Sequence, residues 1–254
     1  LNHDEAPSAL ESRLESQARA FHSAAEDLQR RTGGGTSATA PRGGETAHLA
    51  EWARERGVLT DGREFEICAL VSNSTSEHEV RYHKDQNRAW KRTWAGFYGQ
   101  VPCPDNGRLG RRNATPSEYL RRMALQIRVF ASDIRLEGVC VSEKPSMIIG
   151  QPAGEPSFII SQDWLDRVRD TTPSDIAAFL NDEGFEPVTR SYFGWYRDAD
   201  GTVIVDAKAD NFITTEADII ALDLQMAQFS REEALAAGLT SPPDMDEDSS
   251  LFSS

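Results

Sequence analysis

Asp206, Asn211 and Asp223 are the side chains of this 254-residue chain whose types and spacing are best suited to chemistry. Asp206 and Asn211 bound the run Asp206-Ala-Lys-Ala-Asp-Asn211, directly after the apolar segment Val203-Ile204-Val205, and Asp223 follows Ile219-Ile220-Ala221-Leu222. Phosphoryl transfer asks for such a set: a carboxylate that accepts the proton of an attacking hydroxyl, an amide oxygen five residues on that holds a metal ion, and a second carboxylate on that metal. In that order Asp206 is the expected base, and Asn211 and Asp223 the expected metal ligands. Lys208, two residues after the base, is expected to steady the transferred phosphate. Asp and Asn are also frequent in turns between strands, where they bond nearby backbone groups, so the Asp206/Asn211 pair alone reads equally as a turn. Its surroundings favour the chemical reading: both carboxylates end β-branched runs, and residues 212–218 have the length of one short hairpin. Two strands would then carry all three side chains to one sheet edge.

A nucleotide site also needs a cation on the inner phosphates and a helix carboxylate that aims it. Lys91, in Ala89-Trp90-Lys91, and Glu118, near the start of the next long helix, are the candidates, in preference to Lys84 in a turn. Taken singly, Lys91 also fits a solvated strand lysine and Glu118 a helix-capping glutamate. Arg108, Arg111 and Arg112 form a local basic patch that could hold a phosphate or an acidic substrate, or could be an exposed loop of solvated arginines. His78 and His83 read as solvated histidines on opposite faces of a strand, and Asp198-Ala-Asp200-Gly201 as a hairpin turn and not a calcium loop. Tyr192, Phe193, Trp195 and Tyr196 lack interleaved basic residues and read as packing residues and not as a base-stacking platform.

The formal charge of −14 argues against broad attraction to nucleic acid or anionic lipid. No apolar run approaches a membrane span, and the N-terminus lacks the pattern of a secretory signal, so cytoplasm is the expected compartment. Cys68, Cys103 and Cys140 are far apart without paired spacing, which suggests reduced thiols. The chain starts at Leu1 and is expected to be a module of a longer polypeptide.

The elements that must position these residues follow from periodicity and punctuation. Leu10, Leu14, Ala18, Phe21, Ala25 and Leu28 mark an amphipathic helix over residues 8–31, expected to be a tethered segment (1–32) beyond a Gly-rich linker (33–45). A second helix is expected over 46–56, stopped by Gly57, then a strand over 65–72 and a hairpin pairing 79–82 with 88–93. Thr115-Pro116-Ser117-Glu118 opens a long helix with Tyr119, Met123, Ile127 and Phe130 on its apolar face. Strands are expected at 136–141 and 147–150, a break at Gln151-Pro-Ala-Gly154, helices near 163–169 and 173–181, and a strand pair leading into Asp206. Residues 231–254, with Arg231 against six acids, read as a disordered acidic tail.

The chain resembles the kinase-like domain of phage and mobile-element polyvalent proteins over roughly residues 46–229. The resemblance rests on Glu51-Trp-Ala-Arg-Glu-Arg-Gly57, Ser76-Glu-His-Glu-Val80, Thr115-Pro-Ser-Glu-Tyr-Leu120, Asp133-Ile-Arg-Leu-Glu-Gly138, Gly150-Gln-Pro152, Gly184-Phe-Glu-Pro187 and Val205-Asp-Ala-Lys-Ala-Asp-Asn211, in that order. It implies an α+β fold, namely a compact, bilobal, protein-kinase-like fold with an N-lobe (46–150) and a minimal C-lobe (151–230). It further implies an ATP and Mg²⁺ site, a protein substrate and a phage or mobile-element origin. The chain departs from regulated kinases in three places: Val71–Glu77 lacks the glycines of a phosphate loop, Asp223-Leu-Gln lacks a glycine, and Ile204-Val205 replaces His-Arg. Those departures leave a pseudokinase open beside the active enzyme, as the related chemistries leave AMP transfer and small-molecule phosphorylation.

Overall fold

The computed structural model describes residues 7–32, 44–72, 77–141, 154–189, 191 and 193–240. Its first part runs α1 (Pro7–Arg31), α2 (Gly44–Glu55), β1 (Leu59–Thr60), α3 (Arg63–Ile67), β2 (Ala69–Ser72), β3 (His78–His83), β4 (Arg88–Thr93), β5 (Gln100–Asp105), β6 (Arg108–Asn113), α4 (Pro116–Phe130), β7 (Arg135–Val141) and β8 (Pro156–Asp163). The rest is α5 (Pro173–Asp182), β9 (Glu186–Pro187), β10 (Trp195–Arg197), β11 (Thr202–Val205), a 3₁₀ turn at Ala209–Asn211, β12 (Phe212–Thr214), β13 (Ile219–Ala221), β14 (Gln225–Gln228) and α6 (Arg231–Ala236). The fold is mixed α+β.

Six strands form the main sheet in the order β1-β7-β8-β4-β3-β2, parallel only between β1 and β7. The β3–β4 hairpin closes over Lys84–Asn87 with Glu79 opposite Arg92 and Val80 opposite Lys91. Helices α1, α2 and α4 cover one face, where Leu28, Leu49, Trp52, Tyr119, Leu120, Phe158 and Ile160 are buried together. Lys91 lies opposite Ile160 and therefore shares that face. On the other face α3 inserts Phe65 beside Trp90, Cys140 and Ile159. A second, antiparallel sheet, β14-β11-β10-β9, and the β12–β13 hairpin enclose another core around Leu180, Phe185, Ile204, Phe212 and Leu224.

Helix α4 joins the two cores. Thr115 and Glu118 cap it reciprocally, Pro116 occupies its first turn, and Ala131 ends it in the left-handed region at φ 49°. Tyr119, Leu120, Met123, Ala124 and Ile127 face the first core, while Leu125 belongs to the second.

Several expectations change. Helix α1 is no tethered appendage: Leu14, Ala18, Phe21, Ala25 and Leu28 are buried in the first core, and Trp52 Nε1 donates to Asp27 at 3.0 Å. This one-sided stripe of small and apolar residues packs against α4. Of the strand expected over 65–72 only Ala69–Ser72 forms, as β2; residues 65–67 belong to helix α3, with Gly62 (φ 72°) allowing the turn into it. Residues 108–113 form strand β6 of a β5–β6 hairpin and not a loop, turned at Asn106 and Gly107, both at positive φ. The stretch 164–169 is not helical, and Arg169 bridges to Thr214 instead. Strand β8, a continuous buried run, completes the first sheet, so the boundary expected at residue 150 moves beyond Asp163. Residues 231–236, expected to belong to the tail, form α6 with its own Ser230–Glu233 capping box and bury Ala234. The linker over 33–43, the strand at 147–150, the break at 151–153 and the tail from 241 lie outside the described residues.

Phe21→Ala tests whether α1 belongs to the core. With Phe21 only 3% exposed, the loss should be about 3–5 kcal/mol in a denaturant titration with little change of slope. A loss under about 1 kcal/mol would return α1 to the status of an appendage.

Candidate functional site at the junction of the two sheets

Strand β11 ends at Val205, which pairs with Gln225 of β14, so Asp206 and Asp223 leave neighbouring strands at the same end of the second sheet. The β12–β13 hairpin closes the loop between them: Phe212 pairs with Ala221, and the Leu222 amide donates to the Asn211 carbonyl at 2.9 Å. One edge therefore carries all three expected groups.

Asp206 adopts the left-handed region (φ 62°), which Asp tolerates better than most residues. The loop is fastened by Asn211, whose Nδ2 donates to the Asp206 carbonyl at 2.7 Å and to its Oδ2 at 3.3 Å. Those bonds turn the amide nitrogen inward and leave the harder donor, Oδ1, without a protein partner among the described residues. Lys208 forms an ion pair with Asp206 Oδ1, and its Nζ lies 6.0 Å from the centroid of the Phe193 ring. Arg111 approaches the same oxygen at 3.7 Å from strand β6.

Lys91 reaches this edge from the first sheet. Its Nζ donates to both carboxylate oxygens of Asp223, at 2.8 and 2.9 Å, with the lysine side chain only 4% exposed and the aspartate 32%. Burial opposes ionisation of Asp223, but Lys91 and its charge outweigh that and hold the carboxyl down at about 2. Beside the pair, His78 Nδ1 is 4.0 Å from Asp223 Oδ1, and His78 Nε2 is 3.0 Å from the Tyr119 hydroxyl. Burial pushes His78 down to about 4 against the pull of Asp223 and Glu77.

The expected Lys91–Glu118 pair does not form. Glu118 receives Arg112 at 2.8 and 2.5 Å and the Thr115 amide at 2.9 Å, because its position at the third residue of α4 commits it to the capping box. Further along α4, Arg122 sits in the interior and donates to Glu77 Oε2 at 2.6 Å. Glu77 also accepts the Gln100 amide at 2.9 Å and Gln225 Nε2 at 3.1 Å. Gly99 makes room for it: a Cβ there would meet the Glu77 carboxylate at 2.3 Å, and its φ of 75° is left-handed. Gln126 donates to the Leu222 carbonyl, one residue before Asp223.

His78, read as solvated, is therefore buried, and Glu77, Tyr119, Arg122 and Gln225 are site neighbours that spacing did not single out. A signal was present on α4, where Tyr119, Arg122 and Gln126 recur at helical steps beside the apolar stripe and so had to be buried with partners.

Asn211 Oδ1 and the Asp223 carboxylate are hard oxygen donors suited to Mg²⁺. Among the described residues no group of three or more His, Cys, Asp or Glu side chains is placed to hold a metal. Asn211 and Asp223 would be the residues to hold a magnesium ion here, with phosphate and water as its other partners, as is usual in nucleotide sites. By contrast, the cavity of about 430 Å³ lined by Arg13, Arg88, Asp133, Arg135 and Asp163 is a structural charge cluster. Arg88 is buried against Asp133 and Asp163, and Arg13 and Arg135 also bind Asp133. No family model matches the chain, and no curated protein or solved structure does.

His78 makes the site's pH dependence testable. Unfolded, it titrates near 6.5; folded, near 4. Its contribution to stability is complete above about 6.5 and is lost as pH falls towards 4, with a limiting slope of about 1.4 kcal/mol per pH unit. Asp223 adds its own loss lower, as pH drops from the ordinary carboxylate range towards about 2. Urea midpoints should fall between pH 7 and 5 in the wild type and much less in His78→Gln. Equal losses in both would mean that His78 is not held neutral in the interior.

Proposed function

We propose that this chain is an ATP- and Mg²⁺-dependent phosphotransferase of protein-kinase-like fold that phosphorylates a hydroxyl of a protein. The observation that carries this reading is the meeting, at 2.8 Å, of Lys91 on a central strand of the first sheet with Asp223, in the turn that leads into β14 of the second, beside the bonded Asp206–Asn211 loop. These groups lie 132 residues apart in the lysine–aspartate case, and the assignment required them at one place.

The order of elements supports the same reading. Strands β2, β3 and β4 are followed by α4 and then by β7 and β8 of the same sheet, the layout of an N-lobe with one helix. The base loop and metal strand then enclose a short hairpin, β12–β13, in a second unit. In this arrangement Lys91 binds the inner phosphates and Asp206 orients the acceptor hydroxyl and takes its proton. The acceptor oxygen bonds to the γ-phosphorus as the β–γ bridging bond breaks, and ADP leaves. Lys208 stands by to balance charge on the group in transfer. Bound between Asn211 Oδ1 and Asp223, Mg²⁺ would supply charge neutralisation on the phosphate oxygens. The resemblance to polyvalent-protein kinase domains extends the proposal to a phage or mobile-element module acting in a bacterial cytoplasm.

One observation favours a second reading, a nucleotide-binding module without turnover. Helix α4 presents Arg122 and not a carboxylate towards the Lys91 surroundings, so Asp223 has both to aim the lysine and to serve the metal.

The two readings, and AMP transfer, separate with ATP labelled at the γ-phosphate or in the adenine ring, supplied with Mg²⁺ and a bacterial extract as acceptor. Asp206→Asn is the matched control because Asn also tolerates φ 62°. The proposal expects γ-label transfer by the wild type and a loss of roughly 10²–10⁴-fold in the variant at unchanged melting temperature. Adenine label on the acceptor would indicate AMP transfer, and no transfer despite Mg²⁺-dependent ATP binding would leave the inactive module.

A further inference from the structure

The β5–β6 hairpin is inserted between β4 and α4, yet it packs on the second sheet. Leu109 joins a cluster with Val203, Phe229 and Ala237, and lies against Gly194, where a Cβ would come within 3.2 Å of its Cδ2. At the hairpin turn the Gly107 carbonyl fits against Gly238, where a Cβ would come within 2.7 Å. The hairpin is thus fixed at its turn and along one side. Residue alternation places Leu109 and Arg111 on one face of β6 and Arg112 on the other. Arg112 is consumed by Glu118, but Arg111 is 52% exposed, and the ion pair it makes is the long 3.7 Å approach to Asp206 Oδ1.

Asp206 thereby has two cations at its rim, and only one has a role in phosphoryl transfer. Lys208 belongs to the base loop itself, whereas Arg111 is brought from a separate element whose packing sets it 3.7 Å from Asp206 Oδ1. A guanidinium offers planar, paired donors that fit carboxylates and phosphates. On a chain of net charge −14 such a group, with Lys208 beside it, is also part of a local exception to a field that repels anions.

We propose, resting on the phosphotransfer reading, that Arg111 is a specificity-determining residue that selects an acceptor peptide carrying an anionic side chain, carboxylate or phosphate, beside the hydroxyl to be phosphorylated. Arg111 releases its long contact with Asp206 to bind that anion, and the base is left to the hydroxyl.

The test uses four fluorescein-labelled serine peptides of one length, with Asp/Glu, phosphoserine, neutral or Lys/Arg neighbours around the acceptor. Binding is read by anisotropy and transfer by γ-label from ATP with Mg²⁺, for the wild type, Arg111→Gln and Arg111→Glu. The wild type should favour the acidic or phosphorylated peptides. Arg111→Gln should lose about tenfold in affinity for them, with the change in KM for peptide exceeding that in kcat. Arg111→Glu should invert the order towards the basic peptide, and added salt should shrink the wild-type preference. The acidic and phosphoserine peptides tell which anion is recognised. An order of preference that is unchanged in both variants, or a wild type that favours neutral or basic peptides, overturns the inference while leaving phosphotransfer in place. Arg111-dependent peptide binding with no γ-label transfer overturns the phosphotransfer reading and keeps Arg111 as an anion site.

Discussion

The ammonium of Lys91 leaves a central strand of the main sheet on the side covered by α4, where almost no water reaches it. Such a charge must be met, since an isolated buried ion costs several kcal/mol even after relaxation. The group that meets it, Asp223, lies in the turn that leads into β14 of the other sheet, so satisfying one lysine fixes how the two halves face each other. Removing one partner of a fully buried pair typically destabilises by about 3–5 kcal/mol; with Asp223 one-third exposed, this pair lies below that range. Its value is positional more than energetic.

A second buried ion pair works in parallel. Arg122 from α4 holds Glu77 at the start of β3, and Glu77 in turn holds Gln225 at the start of β14. Helix, first sheet and second sheet therefore converge on polar contacts within a few residues of Asp223. Apolar packing of α4 into both cores supplies the bulk of the stabilisation, while these directional contacts define one relative placement. The loop from Asp206 to Asn211 is fixed more locally, by Asn211 on the Asp206 carbonyl and by the β12–β13 hairpin.

Much of this was readable from local chemistry. The loop over residues 206–211, the hairpin after it, the β3–β4 pair and the cap of α4 each rest on residues close in sequence, where spacing and turn chemistry decide the outcome. What escaped depended on distant partners. Glu118 was paired with Lys91 by role, but its place in the first turn of α4 gave the capping box and Arg112 first claim on it. His78 looked solvated because nothing local shows that α4 lays Tyr119 across it. Strand β8 was missed because a central strand buried on both faces has no alternation to reveal it. The Asn106-Gly107 turn, with both residues at positive φ, is a legible hairpin signal.

If Lys91 and Asp223 are the phosphate and metal groups of one nucleotide site, phosphate must compete for the lysine and metal for the aspartate. The direct measurement is a crystal structure with Mn²⁺ in place of Mg²⁺ and a non-hydrolysable ATP analogue, the metal located by its anomalous signal. The account predicts Mn²⁺ on Asn211 Oδ1 and the Asp223 carboxylate, with Lys91 Nζ moved onto a phosphate oxygen. A nucleotide bound elsewhere, with the Lys91–Asp223 pair intact at 2.8 Å, would contradict it.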